Sequence, residues 1–200
     1  MNHFNLKSEI NELFAIIKEL DRKVVAVFLS VAILQTLSFY FTSRRFFRAN
    51  LFEQFQNYSD PYLLEYLYWF VGDFYTFFVL GILIIKFGFK EKLSDLGLRL
   101  GDFKVGLKIS LVFLFVMIIL IWFVSATPSF AEKYPHLSSA KSDWNTLFIY
   151  EAGMLLYMFA WEFIWRGFML FGLEKKFGGY AVLMQMIPFV ILHNGKPFLE

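Results

Sequence analysis

The sequence predicts an all-α fold, a polytopic transmembrane helix bundle with at least five spans. Of its 200 residues, 58% are hydrophobic and 22% are aromatic, whereas a soluble domain is only about half apolar. The apolar residues form runs long enough to cross the roughly 30 Å hydrocarbon core of a bilayer. Most charged residues fall between these runs. The lipid bilayer is therefore the first partner that the sequence predicts.

The N-terminal segment, residues 1–23, is predicted to be an amphipathic helix in the membrane interface. Between residues 5 and 21 the apolar and charged residues recur with the helical period, so one face is apolar. A packing helix of a cytoplasmic cap is the alternative interpretation of the same pattern. The apolar face consists of Ile10, Leu13, Phe14, Ile17 and Leu20.

Residues 24–200 are predicted to form one transmembrane domain. Two of its apolar runs contain no charged residue, and three others carry a few ionisable groups. Residues 86–104 combine dense charge with leucines and are predicted to form a second interfacial segment. Residues 127–144 are predicted to be a polar loop. The five predicted spans are 24–42, 62–85, 109–126, 145–173 and 177–193.

The distribution of lysine and arginine predicts that the N-terminus lies in the cytoplasm. Twelve of these residues fall in 1–23, 86–108 and 174–176, which lie on the same side of the membrane as the N-terminus. Five fall in the loops on the other side. Cytoplasmic loops carry the excess of positive charge in membrane proteins.

Several function classes are excluded by composition. The net charge of +2 is too small and dispersed for a nucleic-acid partner, and the absence of cysteine excludes disulfides and thiolate metal sites. The chain lacks the H-E-x-x-H pattern of zinc proteases and the G-x-S-x-G pattern of serine hydrolases. Two of its three histidines, His3 and His136, fall in polar segments, so no tetrahedral metal site and no cofactor are expected.

Three ionisable residues in predicted spans form the candidate site: Glu162, Arg166 and His193. Such groups are costly in hydrocarbon, so each needs a partner and is a functional candidate. Glu162 and Arg166 are four residues apart, on one helix face. Residues 174–179 contain two glycines and predict a tight hairpin between the fourth and fifth spans. In that register Glu162 lies opposite about residue 191, within one turn of His193.

This arrangement suits hydrolysis by an activated water. A carboxylate in a low-dielectric site can serve as a general base, and Arg166 would keep Glu162 ionised. A neutral His193 could share the water or stabilise an oxyanion. Pro188 should kink the last predicted span one turn before His193 and make room for a water or a peptide.

The two motifs resemble those of the CPBP family, named for CAAX-prenyl proteases and bacteriocin processing and also called Abi. That family carries E-E-x-x-x-R on one membrane helix and F-x-x-x-H on the next. Here residues 161–167 are Trp-Glu-Phe-Ile-Trp-Arg-Gly, and Phe189 precedes His193 by four residues. The resemblance covers about residues 88–200 and extends to Leu96-Gly97-Leu98 and to residues 193–197.

The resemblance implies an intramembrane endopeptidase of a bacterial cytoplasmic membrane, with a peptide or protein substrate. It implies catalytic roles for Glu162 and His193, an orienting role for Arg166 and, by the family's label, a divalent metal. The first glutamate of the family pair is Trp161 here, so Glu162 either acts as the base alone or leaves catalysis impaired. A third family motif is expected beyond Glu200, so we expect the sequence to be truncated at its C-terminus.

Each candidate residue also has a structural interpretation. Glu162 and Arg166 could form an ion pair that pins two helices. His193 could cap the end of a kinked helix through carbonyl contacts. Three further acidic residues are expected to be satisfied polar groups of the bundle or interface: Glu65, Asp73 and Glu151.

The leading hypothesis is a CPBP-like endopeptidase that hydrolyses a membrane-proximal peptide bond through a water activated by Glu162 and His193. The alternative is a catalytically weak or inactive membrane protein of the same fold that acts in immunity or in partner binding, and Trp161 favours it. A small-solute transporter is a third class. It would show paired half-helices in a repeat, and the sequence contains no such repeat.

Overall fold

The computed structural model describes residues 5–193, apart from the side chains of Ser8 and Ser129. These residues form helices and loops without a strand, as the sequence predicts. Four helical stretches are long and apolar enough to cross a membrane. In chain order the structure contains an N-terminal helix (Leu6–Glu19), a first span (Arg22–Asn50), a second span (Pro61–Phe89), a third span (Phe103–Ser125), a fourth span (Trp144–Phe177) and a terminal helix (Tyr180–Ile191).

Three of the spans contain π-helical turns, which are rare and often occur at functional sites. The π-helical segments are Ser38–Thr42 in the first span, Phe74–Val79 and Ile84–Phe89 in the second, and Phe163–Met169 in the fourth. The α-helical parts around them are Arg22–Leu37, Arg44–Asn50, Pro61–Asp73, Leu80–Leu83, Trp144–Glu162 and Leu170–Phe177. Short helices lie between the spans at Phe52–Phe55, Leu93–Leu96, Pro128–Lys133 and Ser138–Lys141.

An aspartate caps the start of every span. Its carboxylate accepts hydrogen bonds from backbone N–H groups of the first turn, which have no partner within the helix. Such a cap stabilises a helix by about 1 kcal/mol. The four caps are Asp21, Asp60, Asp102 and Asp143.

The first, second and fourth spans and the terminal helix pack together, with the main hydrophobic core on the fourth span. Trp165 and Phe168 of the fourth span are buried in one cluster with Val27 of the first span and Phe77 of the second. The third span contributes no buried residue. Its uniformly apolar surface suits contact with lipid, so the packed spans are where a site can form.

Residues 5–193 contain four of the five predicted spans. Four spanning helices match the first four predicted runs. The terminal helix has 12 residues, which corresponds to about 18 Å and is shorter than the roughly 30 Å hydrocarbon core. It contains Pro188 and continues to Ile191. The fifth span stays a prediction, and residues 194–197 of the resemblance lie outside the described residues.

The N-terminal helix leaves its predicted apolar face uncovered. The side chains of Ile10, Leu13, Phe14 and Ile17 are all exposed. The helix begins at a cap where Asn5 accepts a hydrogen bond from the N–H of Lys7. An uncovered apolar stripe opposite a charged face is typical of a helix in the membrane interface, and that location stays a prediction.

The interfacial location predicted for residues 86–104 stays a prediction, and part of this segment packs against the hydrophobic core. The second span continues to Phe89, and the third span begins at Phe103. Between them a short 3₁₀ helix carries Leu96 into the hydrophobic core, where it is fully buried. Leu93 and Leu98 pack partly buried against the same core, whereas Leu100 is 85% exposed.

Charged side chains cluster at the two ends of the bundle. At the end where the first span begins, Glu91 accepts hydrogen bonds from Lys23 at 2.7 Å and from Lys175 at 3.4 Å. At the other end Arg44 binds Glu65 at 2.5 Å. The helical part between the two clusters runs from Lys23 to Thr42, which corresponds to about 28 Å and is close to the roughly 30 Å hydrocarbon thickness. The two clusters therefore fit the two membrane surfaces.

Candidate functional site

The fourth span changes from α-helix to π-helix at the motif. Glu162 ends the α-helical part, and Arg166 lies in the π-helical segment. A Cβ atom at Gly167 would come within 3.0 Å of the carbonyl oxygen of Leu96. This distance is tighter than most Cβ contacts, so glycine favours the close approach of the preceding loop to the helix. The glycine that follows the motif arginine therefore serves backbone packing.

Glu162 and Arg166 form an ion pair on one helix face, as their spacing predicts. A guanidinium N–H of Arg166 donates a hydrogen bond to Oε2 of Glu162. The two side chains are 37% and 54% exposed, respectively. The pair is therefore reachable from outside the packed core.

A cavity of about 210 Å³ adjoins this ion pair. Its other walls include Leu96, Gly97 and Leu98. Gly97 has a φ of 90°, a left-handed conformation that other residues rarely adopt. Two elements of the resemblance, the Leu-Gly-Leu stretch and the glutamate-arginine motif, thus line the same cavity.

Phe189 connects the ion pair to His193. The guanidinium of Arg166 lies over the Phe189 ring, with Cζ 4.9 Å from the centroid. The imidazole of His193 lies 4.5 Å from the same ring, centroid to centroid. Phe189 also contacts the rings of Trp161 and Trp165 on the fourth span. These contacts agree with the hairpin register that the sequence predicts.

His193 is held by the backbone of its own helix. Its Nδ1 lies 2.7 Å from the carbonyl oxygen of Phe189. A carbonyl oxygen can only accept, so Nδ1 carries the hydrogen and Nε2 of a neutral ring keeps its lone pair. This contact matches the structural interpretation of His193 as a helix-end residue, and it also leaves Nε2 available as a base or acceptor.

The structure thus brings the three predicted site residues to one region of the hairpin. Within residues 5–193 no hydrogen bond or ion pair joins His193 to Glu162 or Arg166. The aromatic ring of Phe189 lies in contact with both Arg166 and His193. A water or a substrate group would have to complete the link between the carboxylate and the imidazole.

Trp161, the residue before Glu162, faces a different part of the bundle. Its ring packs against Phe77 with centroids 5.9 Å apart. It also lines a second cavity of about 370 Å³, which we call the polar cavity and which touches Asp73. The resemblance expects a glutamate at position 161. In this chain Asp73 supplies a carboxylate to the same cavity.

Asp73 is a buried carboxylate whose partners sequence reasoning missed. It is 2% exposed, so the prediction that it faces the interior or the interface is confirmed. Its oxygens accept hydrogen bonds from Ser38 Oγ at 2.7 Å, Thr42 Oγ1 at 2.5 Å and Trp69 Nε1 at 2.8 Å. Ser38 and Thr42 are four residues apart in an uncharged run, so one polar face was the signal available in the sequence.

Glu65 forms a second buried charge cluster. Its carboxylate is fully buried and accepts hydrogen bonds from Arg44 Nε at 2.5 Å and Arg48 Nε at 2.8 Å. The Arg44 guanidinium also lies 3.7 Å from the centre of the Tyr66 ring. A fully buried carboxylate needs such partners, because removing a charge from water is costly. This cluster holds the end of the first span against the second.

The described side chains do not suit a divalent metal. No group of three or more histidine, aspartate and glutamate residues within 5–193 is close enough to hold an ion. Glu162 is already bound by the cation of Arg166, and Nδ1 of His193 is bound by a carbonyl oxygen. The metal that the family label implies therefore has no fitting ligand set in this part of the chain.

Comparison of the chain with protein-family models, with curated proteins and with solved structures finds no match. The resemblance to the CPBP family therefore rests on the motifs and on their setting in the bundle. The activity that the family implies is a proposal for this chain.

Proposed function

We propose that this chain is a CPBP-like intramembrane endopeptidase, which hydrolyses a membrane-proximal peptide bond in a peptide or protein substrate. The observation that carries the proposal is the convergence of Glu162, Arg166 and His193 around Phe189. Ionisable groups within the membrane-spanning part of a helix bundle are costly and usually mark a functional site. The lysine and arginine distribution supports an N-terminus in the cytoplasm, and the resemblance to the CPBP family suggests a bacterial cytoplasmic membrane.

Glu162 is the general base in this proposal. Its carboxylate takes a proton from water, and the water oxygen bonds to the carbonyl carbon of the substrate peptide. The C–N bond breaks as the proton passes from Glu162 to the leaving amine. Arg166 keeps the carboxylate oriented through their hydrogen bond.

His193 assists through the ring nitrogen that its own helix leaves free. Nδ1 is bound to the Phe189 carbonyl oxygen, so Nε2 can accept a hydrogen bond from the attacking water. The cavity beside Glu162 has a volume of about 210 Å³. One water occupies roughly 30 Å³ of liquid volume, so the cavity also has room for a short length of peptide backbone.

A peptide library tests this assignment. The full chain is reconstituted in liposomes and incubated with a proteome-derived peptide library, and mass spectrometry counts the newly formed peptide termini. Loss of a general base costs roughly 10²–10⁴-fold in rate, so Glu162→Gln and His193→Ala should abolish most cleavage. Glu151→Gln is the matched control, because Glu151 is an exposed glutamate on the same span. Equal cleavage by all four proteins would refute the proposal.

A non-catalytic membrane protein of the same fold is the second candidate. Trp161 stands at the position of the first family glutamate, and Glu162 and His193 each have an internal partner. This candidate predicts that wild type forms no new peptide termini. It also predicts that Glu162→Gln changes the thermal unfolding temperature only slightly, because the exposed pair joins two residues of one helix.

A further inference from the structure

We propose that the bundle binds an acyl lipid with an anionic headgroup, whose chain occupies an apolar cavity and whose headgroup occupies the polar cavity. The two cavities adjoin, since Gln35 and Leu192 line both of them. The Glu162–Arg166 pair borders a different cavity. This inference is therefore independent of the proposed peptidase activity.

The apolar cavity lies between the first span and the hairpin formed by the fourth span and the terminal helix. It has a volume of about 590 Å³, within the range of roughly 300–1,000 Å³ that is usual for ligand sites. Its lining includes Val31, Met169, Met184 and Ile187. Methionine side chains adapt to ligands of irregular shape. In a bilayer, the apolar molecules that surround this cavity are acyl chains.

Two hydrogen-bond donors in the lining of the apolar cavity have no partner. The indole Nε1 of Trp165 and the amide Nε2 of Gln35 are buried and make no hydrogen bond within the described residues. Trp165 is 1% exposed. Buried donors in folded proteins are almost always paired, so these two point to a ligand that supplies an acceptor. The ester carbonyl of an acyl lipid is such an acceptor. It joins the acyl chain to the headgroup, and Gln35 correspondingly lines both the apolar cavity and the polar cavity.

The polar cavity and its surroundings carry an excess of positive charge. Its lining contains the guanidinium groups of Arg44 and Arg45 and one carboxylate, of Asp73. Glu65 is bound by Arg44 and Arg48, and Asp73 is bound by three neutral donors. Arg45 lines the polar cavity and has no ion-pair partner among residues 5–193. Its planar guanidinium is therefore available to a phosphate group.

The depth of Arg45 matches that of a lipid headgroup. The helical part of the first span that holds Lys23 ends at Thr42, 19 residues further on and about 28 Å along the helix. Lys23 belongs to the charge cluster at the opposite membrane surface, so Arg45, three residues after Thr42, lies near the headgroups of its own leaflet. Phe28, in the lining of the apolar cavity, is 14 residues before Thr42, about 21 Å away. One leaflet with its headgroups is about 20–22 Å thick, so the two cavities together match the length of one lipid.

Native mass spectrometry of the purified full chain tests the headgroup site. The probes are phosphatidylglycerol and phosphatidylcholine with identical palmitoyl and oleoyl chains. Wild type should bind phosphatidylglycerol about tenfold more tightly, because its headgroup has a net negative charge, whereas the choline cation of phosphatidylcholine neutralises the phosphate and is repelled by the arginines. Arg45→Gln should remove the preference. Arg99→Gln is the control, since Arg99 is exposed and lines neither cavity, and it should keep the preference.

A second variant tests the chain site. Ala32 lines the apolar cavity, so the ring of Ala32→Phe should fill that space and weaken the binding of both lipids about tenfold. Ala152→Phe is the matched control on the exposed surface of the fourth span, and it should bind like wild type. Thermal unfolding verifies that the variants fold.

Three results would overturn the proposal. The first is equal binding of the two lipids by wild type, and the second is an unchanged preference in Arg45→Gln. The third is displacement of phosphatidylglycerol by inorganic phosphate together with unchanged lipid binding by Ala32→Phe. That result would identify a free anion as the ligand, whereas loss of lipid binding in Ala32→Phe supports the lipid.

Discussion

The guanidinium of Arg166 lies over the ring of Phe189, with Cζ 4.9 Å from the ring centroid. Arg166 belongs to the fourth span, and Phe189 belongs to the terminal helix. The imidazole of His193 contacts the same ring, with the two centroids 4.5 Å apart and the ring planes tilted by 39°. The first residue of the F-x-x-x-H pattern therefore has a physical function, because its ring sets the spacing between an arginine and a histidine on different helices.

Phe189→Leu should separate the effects of this ring on activity and on stability. A cation–π contact contributes about 0.5–2 kcal/mol, so we expect a modest decrease in thermal unfolding temperature. Under the proposed function, loss of the ring misplaces His193, and cleavage of the peptide library should fall by at least about tenfold.

Two further variants control this prediction. Phe189→Tyr keeps an aromatic ring between Arg166 and His193 and should retain most of the activity. Phe148→Leu makes the same change at an exposed position of the fourth span and should leave both readouts unchanged. Wild-type cleavage by Phe189→Leu would contradict the positioning role.

Gly167→Ala should destabilise the bundle. The added methyl group would lie 3.0 Å from the carbonyl oxygen of Leu96 and 3.0 Å from a ring carbon of Phe163. Crowding of this kind costs about 1–3 kcal/mol. Gly106→Ala is the control, because a Cβ there meets no atom within 4 Å. Alanine is the better helix former by about 1 kcal/mol, so Gly106→Ala should be neutral or stabilising. Equilibrium unfolding with SDS measures the stability of both variants. Equal destabilisation of the two would refute the packing explanation.

The spans could be predicted from the sequence because each signal was local. Apolar runs of about 20 residues with few charges define spanning helices, and four of them appear where expected. The hairpin before Tyr180 and the Glu162–Arg166 pair also follow from local rules, namely glycine in turns and the i,i+4 spacing of helices.

Other features could not be predicted because they depend on contacts between distant segments. Asp73 and Ser38 are 35 residues apart in the chain, and nothing in either run specifies the other. Leu96 was assigned to the interface because charges surround it, yet tertiary packing buries it. The ring of Phe189 between Arg166 and His193 depends on how two helices rotate about their axes, which periodicity does not determine.

Asp73→Asn should destabilise the fold through the contact with Trp69. Ser38 and Thr42 both donate to Oδ1, and the Trp69 indole donates to Oδ2. An asparagine has one acceptor oxygen, so its NH₂ group would face one of these donors. A buried donor that loses its acceptor costs about 1–3 kcal/mol.

A double-mutant cycle with Trp69→Phe measures this contact. If the lost indole hydrogen bond accounts for the cost, Asp73→Asn should be less destabilising in the Trp69→Phe background, with a coupling of about 1 kcal/mol. Additive effects of the two changes on the free energy of unfolding would mean that the indole contributes nothing to the effect of Asp73→Asn.

Glu65→Ala should cause a large loss of stability. It leaves the guanidinium groups of Arg44 and Arg48 without their buried acceptor. Removal of one partner from a buried ion pair costs roughly 3–5 kcal/mol, and we expect about 3 kcal/mol because both arginines keep some contact with solvent. Arg48→Gln should cost less than about 1 kcal/mol, since Arg48 is 56% exposed.

Glu53→Ala provides the control for this cluster. Glu53 is exposed on the short helix Phe52–Phe55, so its loss should not change the free energy of unfolding by more than about 0.5 kcal/mol. The free energy of unfolding is measured for the three variants in bicelles. It should be much lower for Glu65→Ala than for Arg48→Gln, and for Glu53→Ala it should be close to the wild-type value. If Glu65→Ala and Glu53→Ala had the same free energy of unfolding, the Glu65 carboxylate would not be the group that holds the end of the first span to the second. The contact of the Tyr66 ring with Arg44 would then be the next explanation to test.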